Sequence, residues 1–252
     1  MESKNKFGII LSIIILLVVI IGGFILMKKS QNIVNKKNTT NTIKQEKKDI
    51  RIDKDRDYIY YENKETITDE LDIEYKDVVI NFEDSNHIMD KLNNETKELK
   101  KKLTYDNTLQ DAAYNNLSYA EYKKYTIYNF DKYVSLLVDY YSFDPENIVN
   151  YQKSASYVFD KESGHLYSNQ ELLKIFKLTD TDLKEKVETY LNDQNLVNGD
   201  KILVKETIAM ANDYALYIDK IGHLQAAILV KSTENDYNEV ILIKWGEING
   251  RK

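Results

Sequence analysis

The side chains able to do chemistry are unevenly supplied in this chain of 252 residues. Cysteine is absent, which excludes thiol nucleophiles, disulfides, Cys-ligated zinc and a Cys-anchored lipid. The only histidines, His87, His165 and His223, lack metal-ligand spacing such as H-x-x-x-H on a helix. His165 falls in a turn and His223 in "IGHL", another turn, so all three read as surface or structural side chains. Neither G-x-S-x-G nor G-x-x-x-x-G-K-[ST] occurs. The 41 acidic residues offer many carboxylate pairs of the kind glycoside hydrolysis uses, too many for any pair to stand out. Tyrosines between 105 and 167 could stack on sugar rings. In strands, such tyrosines more commonly put the ring in a core and the hydroxyl in water, and that is how we read them. No catalytic, cofactor-binding or metal residue is nominated, and the reading is of a non-enzyme.

Charge narrows the partners. From Lys28 to Ile52 there are eight basic residues and two acidic ones. From Asp53 onward there are 25 basic and 38 acidic residues, a net −13. An acidic domain disfavours nucleic acid. It attracts cationic proteins, and it also keeps a domain soluble. The basic run "KELKKKL" (97–103) lies in a helical setting with acidic surroundings and reads as a solvated face.

The most organised stretch is "YVFDKESGHLYSNQELLKIF" (157–176). An aromatic strand runs into a reversing turn closed by Gly164, which adopts the left-handed conformation without a Cβ penalty. Ser168 and Glu171 then match a capping box, with Tyr167 and Leu172 as hydrophobic staple. The pattern recurs in "LTDTDLKEKVETYL": Thr179 and Asp182 form the box, Leu178 and Leu183 the staple. Leu183, Val187, Tyr190 and Leu191 share the following helix face. These polar residues have structural work and are not nominated as catalytic.

Elsewhere, strands are expected at 57–62, 70–82, 118–130, 132–143 and 151–159, in segments rich in Tyr and β-branched residues. A helix capped by Ser85 or Asp84 is expected to run to about Leu103, with Ile88, Leu92, Thr96, Leu99 and Leu103 on one face. Three strands with turns near Gly222 and Asn235 close the chain. The expected fold is α+β: antiparallel sheet or sheets with helices packed on one face, preceded by a single transmembrane helix.

That helix is "FGIILSIIILLVVIIGGFILM" (7–27), 21 uncharged residues, long enough for a hydrocarbon core of roughly 30 Å. No A-x-A-like cleavage site follows it, so it reads as an uncleaved membrane anchor. Residues 1–6 form a short cytoplasmic leader. Residues 28–55 read as a disordered basic tether with a reach of about 30 Å. Residues 56–252 form the extracytoplasmic domain, with a division into lobes near 115/116. Lysines on the C-terminal flank favour the opposite orientation by the positive-inside rule. The short Lys-containing leader and the large following domain favour a bacterial signal anchor.

The stretch from 157, with the helix and terminal strands after it, resembles the extracytoplasmic domain of RsiV-type, lysozyme-sensing anti-sigma factors. A related module precedes the catalytic domain of some peptidoglycan deacetylases. In that family a strand ending Phe-Asp passes through a Ser/Thr-Gly turn into a short "LxxLF"-like helix. Phe159, Asp160, Ser163, Gly164, Leu172 and Phe176 occupy those places. The likeness extends over about residues 57–245, more weakly in the first half. Six residues precede the apolar segment, where the anti-sigma factors carry a sigma-binding domain, and no deacetylase domain follows. The resemblance therefore implies a sensing or binding module on an anchor, with lysozyme, another cationic protein or peptidoglycan as ligand, and no cofactor. It implies no contact residues. An envelope enzyme acting on peptidoglycan and an anchored scaffold for other envelope proteins are the alternatives.

Overall fold

The computed structural model describes residues 50–108, 116–146, 148–195, 201–233 and 236–246. The leader, the apolar segment 7–27 and the tether up to residue 49 lie outside them, as does the expected turn at Asn235. Among the described residues no helix is long and apolar enough to cross a membrane. Residues 50–55, assigned above to the tether, are engaged: Arg51 forms a β-bridge with Phe82, and the Asp53 amide donates to Asn81 Oδ1 at 2.8 Å.

The fold is α+β, and every strand pair is antiparallel. Its centre is three long strands, β4 (Leu117–Phe130), β5 (Tyr133–Asp144) and β6 (Ile148–Asp160). They are joined by short turns and dense in Tyr, Val, Ile and Leu, whose shapes suit a pleated surface. Two-residue strands β3 (Thr104–Tyr105) and β7 (Leu166–Tyr167) complete the sheet in the order β3-β4-β5-β6-β7. A hairpin of β1 (Ile59–Thr68) and β2 (Ile73–Ile80) forms a separate pair. β8 (Ala215–Ile218), β9 (Leu224–Val230) and β10 (Tyr237–Lys244) form a third sheet.

Strand alternation sends β5 side chains to two cores. Val134, Leu136 and Val138 pack with Ile88 and Leu92 of α1 (Asn86–Lys100) and with Val78 and Ile80 of β2. Tyr133 and Leu137 join the core containing Leu216, Ile218 and Ile228 of the third sheet. There Ser135 Oγ donates to the Ile218 carbonyl at 3.0 Å and Ser156 Oγ to that of Leu216 at 2.7 Å. The third sheet is covered in turn by α2 (Asn169–Ile175), α3 (Asp180–Asn195) and α4 (Val204–Ala209), through Leu172, Leu183, Val187 and Leu191. The helices therefore do not share one face, as the sequence reading expected. Two sheets packed together leave two outward apolar surfaces, and α1 covers one while α2–α4 cover the other. Residues on both sides of 115/116 share the core around Ile59, Leu92 and Leu136.

Both capping boxes form. Ser168 Oγ accepts from the Glu171 amide at 3.3 Å, and Glu171 Oε2 accepts from the Ser168 amide at 2.8 Å. Thr179 and Asp182 repeat the exchange at 3.2 and 2.7 Å. Ser168→Ala and Thr179→Ala should each lower stability by about 1 kcal/mol in urea unfolding. The expected Ser85 cap is different in kind. Ser85 stands at the N-cap position, but its hydroxyl donates to the carbonyls of Ile80 and Phe82 at 2.7 and 2.6 Å. It secures the end of β2 and not the free amides of α1. The helix also stops at Lys100, short of Leu103.

Gly164 and Gly222 both have positive φ, +71° and +89°. A Cβ on Gly164 would meet only ordinary contacts, the nearest at 3.5 Å, whereas one on Gly222 would lie 2.5 Å from the Phe130 ring. Gly164→Ala should cost about 1–2 kcal/mol of backbone strain. Gly222→Ala should cost more, and Phe130→Ala in the same chain should recover the excess, read by comparing unfolding midpoints.

Candidate functional site

A cleft of about 810 Å³ lies between α1 and one face of the long sheet. Helical periodicity brings Lys91, Glu95, Glu98 and Leu99 to one side. The start of β4 supplies Tyr119 and Glu121, and the far end of β5 supplies Tyr140 and Ser142. β6 contributes Gln152 and Lys153 through a bulge: pairing slips between Tyr140 and Tyr141, opposite Lys153 and Tyr151. This leaves Gln152 without a strand partner, and its side chain donates to Ser142 Oγ at 2.9 Å. A second chamber of about 380 Å³ shares Lys91, Glu95, Tyr140, Gln152 and Lys153, and extends past Tyr151 and Ser154 to Tyr214 and Leu229.

A polar network sits at the cleft's base. Tyr140 donates its hydroxyl hydrogen to Glu95 Oε2 at 2.7 Å. Lys123, buried beneath α1, donates to the Leu92 carbonyl at 2.6 Å and lies 3.6 Å from Glu95. Burial pulls the Lys123 ammonium down to about 8, against the opposing pull of Glu95. Burial, reinforced by Glu95, pushes the Tyr140 hydroxyl well up. Burial acts to raise the Glu121 carboxyl too, but hydrogen bonds from Lys102 and Tyr119 hold it below its ordinary range. Glu95 and Glu121 thus both serve as hydrogen-bond acceptors for a tyrosine hydroxyl. On the opposite face of the sheet, burial pushes the Asp139 carboxyl up, while a hydrogen bond from Ser154 works the other way.

The Lys123 environment yields a prediction. The folded state penalises the charged amine, so this group's contribution to stability rises as pH climbs from about 8 toward the ordinary value of 10.5. Lys123→Met should abolish that rise. At neutral pH it should leave stability within about 1 kcal/mol of wild type, since Glu95 keeps Tyr140 and its access to water. Unfolding free energies at neutral and alkaline pH measure both effects.

The structure also places the residues singled out in the sequence. Tyr122, Tyr125, Tyr133 and Tyr151 are core side chains. Tyr140 lines the cleft, but the Lys153 ammonium lies 4.8 Å from its ring centre. Lysines of the basic run pair with carboxylates: Lys100 with Glu65, Lys101 with Glu98 and Lys102 with Glu121. His87 is exposed on α1, His165 lies 3.0 Å from Glu171, and His223 lies 3.5 Å from Asp219. Phe159 and Asp160 end β6, Ser163 and Gly164 form the turn, and Leu172 and Phe176 are buried under the third sheet. None of those six residues lines the cleft.

Glu95, Lys123 and Gln152 are not identifiable from motif or spacing alone. For Lys123 the chain does carry one signal. Successive strand residues face opposite ways, so of Lys123 and Lys124 one has to point inward. Lys124 points outward and pairs with Asp72 at 3.1 Å. The bulge that presents Gln152 has no such signature.

Comparison with known proteins adds no family to this geometry: no family model matches the chain, and a search of curated proteins returns no match.

Proposed function

We propose that this chain is a membrane-anchored, extracytoplasmic binding domain without catalytic activity of its own, and that its ligand is a component of the cell envelope. The cleft beneath α1 carries the reading. Its lining alternates carboxylates (Glu95, Glu98, Glu121) with ammonium groups (Lys91, Lys102, Lys153), and adds the amides of Asn94 and Gln152 and four tyrosines, Tyr119, Tyr122, Tyr140 and Tyr141. Such a lining suits a neutral or zwitterionic ligand rich in hydroxyl and amide groups, such as the disaccharide-peptide unit of peptidoglycan. The resemblance to lysozyme-sensing modules supports a sensing role, and the apolar segment 7–27 supports attachment to the membrane. A second reading draws on the net −13 from Asp53 onward. A cationic protein such as lysozyme would bind the acidic outer surface by charge complementarity.

Calorimetry on the detergent-solubilised full chain tests both. A soluble muropeptide should give saturable binding. Glu98→Ala and Lys153→Ala, both at exposed positions, should each weaken it about tenfold, roughly 1.4 kcal/mol. Lysozyme binding that falls steeply with salt, without muropeptide binding, would move the ligand to the acidic surface. Binding of neither would end the proposal.

A further inference from the structure

The end of the domain opposite the cleft has a different surface. Antiparallel pairing brings together the β4–β5 tip, the β6–β7 turn and the β8–β9 turn. The Lys161 amide donates to the Lys132 carbonyl at 2.7 Å, and Lys161 Nζ donates to the Asp131 carbonyl at 3.0 Å. The Phe130 ring lies against Gly222. One residue on, His223 meets the Trp245 ring edge-on, with centroids 4.5 Å apart. On the other flank, Ile50 and Phe82 pack on Gly164. A continuous path of contacts therefore runs from Ile50 to Trp245 across the three turns.

Large apolar side chains are exposed along this path: Ile52 at 61%, Ile221 at 58% and Trp245 at 68%. Cations flank them. The Arg51 guanidinium and the Lys161 ammonium both lie over the Tyr58 ring, at 5.2 and 5.7 Å, and Lys132 and Lys220 stand in the turns. Asp131 and Glu162 occupy the same turns, so the surface is not simply basic. An exposed Trp with isoleucines and long cationic side chains suits a bilayer interface, where the ring and stems reach the acyl boundary and the charges stay among headgroups.

We propose that this end of the domain docks on the lipid surface, with Trp245, Ile221 and Ile52 inserted at headgroup level. The occupant follows from where the chain leads. Ile50 lies at this end, and only 22 residues, 28–49, separate it from the apolar segment. If those residues act as the flexible tether expected from the sequence, their root-mean-square reach would be about 25 Å. The cleft is built from the other ends of the same strands (Tyr119, Ser142, Gln152), so docking leaves it open away from the bilayer. The proposal rests on reading 7–27 as a membrane anchor.

Trp245 is the sole tryptophan, so its fluorescence reports on this surface alone. The full chain would be reconstituted into phosphatidylcholine vesicles, with and without phosphatidylglycerol, containing a lipid with a quencher near its headgroup. Docking predicts quenching of Trp245, blue-shifted emission and protection from aqueous iodide. Ile221→Ser and Ile52→Ser, at exposed positions, should reverse these effects with an unchanged circular dichroism spectrum. Full iodide access and no lipid quenching, in protein that floats with the vesicles, would overturn the proposal and make the surface a candidate for protein contact. Failure to float would reject the anchor reading, and docking with it.

Discussion

Phe159→Ala should lower the unfolding free energy by about 3–5 kcal/mol, a large share of what a domain of this kind possesses. The side chain is buried beside Phe82, with ring centroids 5.3 Å apart, and is paired in register with Val134 of the central strand. Phe82 in turn packs on Tyr58 and against the Gly164 turn. The space left by the ring therefore borders β6, the segment after β2 and the turn, and all three cannot move together to fill it. Phe159→Leu keeps most of the volume and should cost about 1–2 kcal/mol. Chemical unfolding followed by circular dichroism measures both. A loss below about 1 kcal/mol for Phe159→Ala would show that the core around β6 repacks freely.

Asp160→Ala should cost about 2–3 kcal/mol near neutral pH. Its Oδ1 accepts from the amides of Glu162 and Ser163, both at 2.9 Å, and its Oδ2 accepts from the Tyr167 hydroxyl at 2.9 Å. Lys132 lies 3.7 Å away. Removing the carboxylate strips these donors of their acceptor and frees the turn that leads into β7. Burial acts to raise this carboxyl, but the hydrogen bonds outweigh it and hold the group below its ordinary range. A depressed folded-state value means that the unfolded chain binds the proton more readily. The stabilisation is thus complete above the unfolded carboxyl range and is lost as pH falls through the folded-state value. Asp160→Asn should remove this part of the acid slope while keeping one acceptor oxygen, so its loss at neutral pH should be smaller than that of Asp160→Ala. Unfolding free energies of the two variants across the acid range separate the charge from the hydrogen bonds. Equal slopes in wild type and Asp160→Asn would refute the linkage.

Asp160 has its partners close by in the chain, Glu162, Ser163 and Tyr167, whereas Phe159 finds Phe82 and Val134 only through the fold. A Gly-containing turn and a capping box are local devices, fixed by contacts between residues a few positions apart. The Ser168–Glu171 and Thr179–Asp182 boxes, the Gly164 and Gly222 turns, the long strands and the faces of α1 and α3 are legible for that reason. The apolar run 7–27 is an expectation of the sequence alone and lies outside the described residues. What local pattern does not supply is partner choice. Nothing within 134–138 states that Val134, Leu136 and Val138 meet α1 while Leu137 meets the third sheet, so sequence reasoning places the helices on a single face. Ser85 looks like a cap because its type and position suit one. Only packing brings the Ile80 and Phe82 carbonyls within its reach. The cleft depends on the same long-range choices. Glu95, Lys123, Tyr140 and Gln152 come from a helix and three strands, and are brought together by sheet pairing, by one bulge and by the burial of α1. Local chemistry along the chain thus sets the elements, most of their ends and the acidic balance of the domain. Which faces meet, and therefore where a ligand could bind, is settled only when apolar surfaces far apart in the chain find cover against one another.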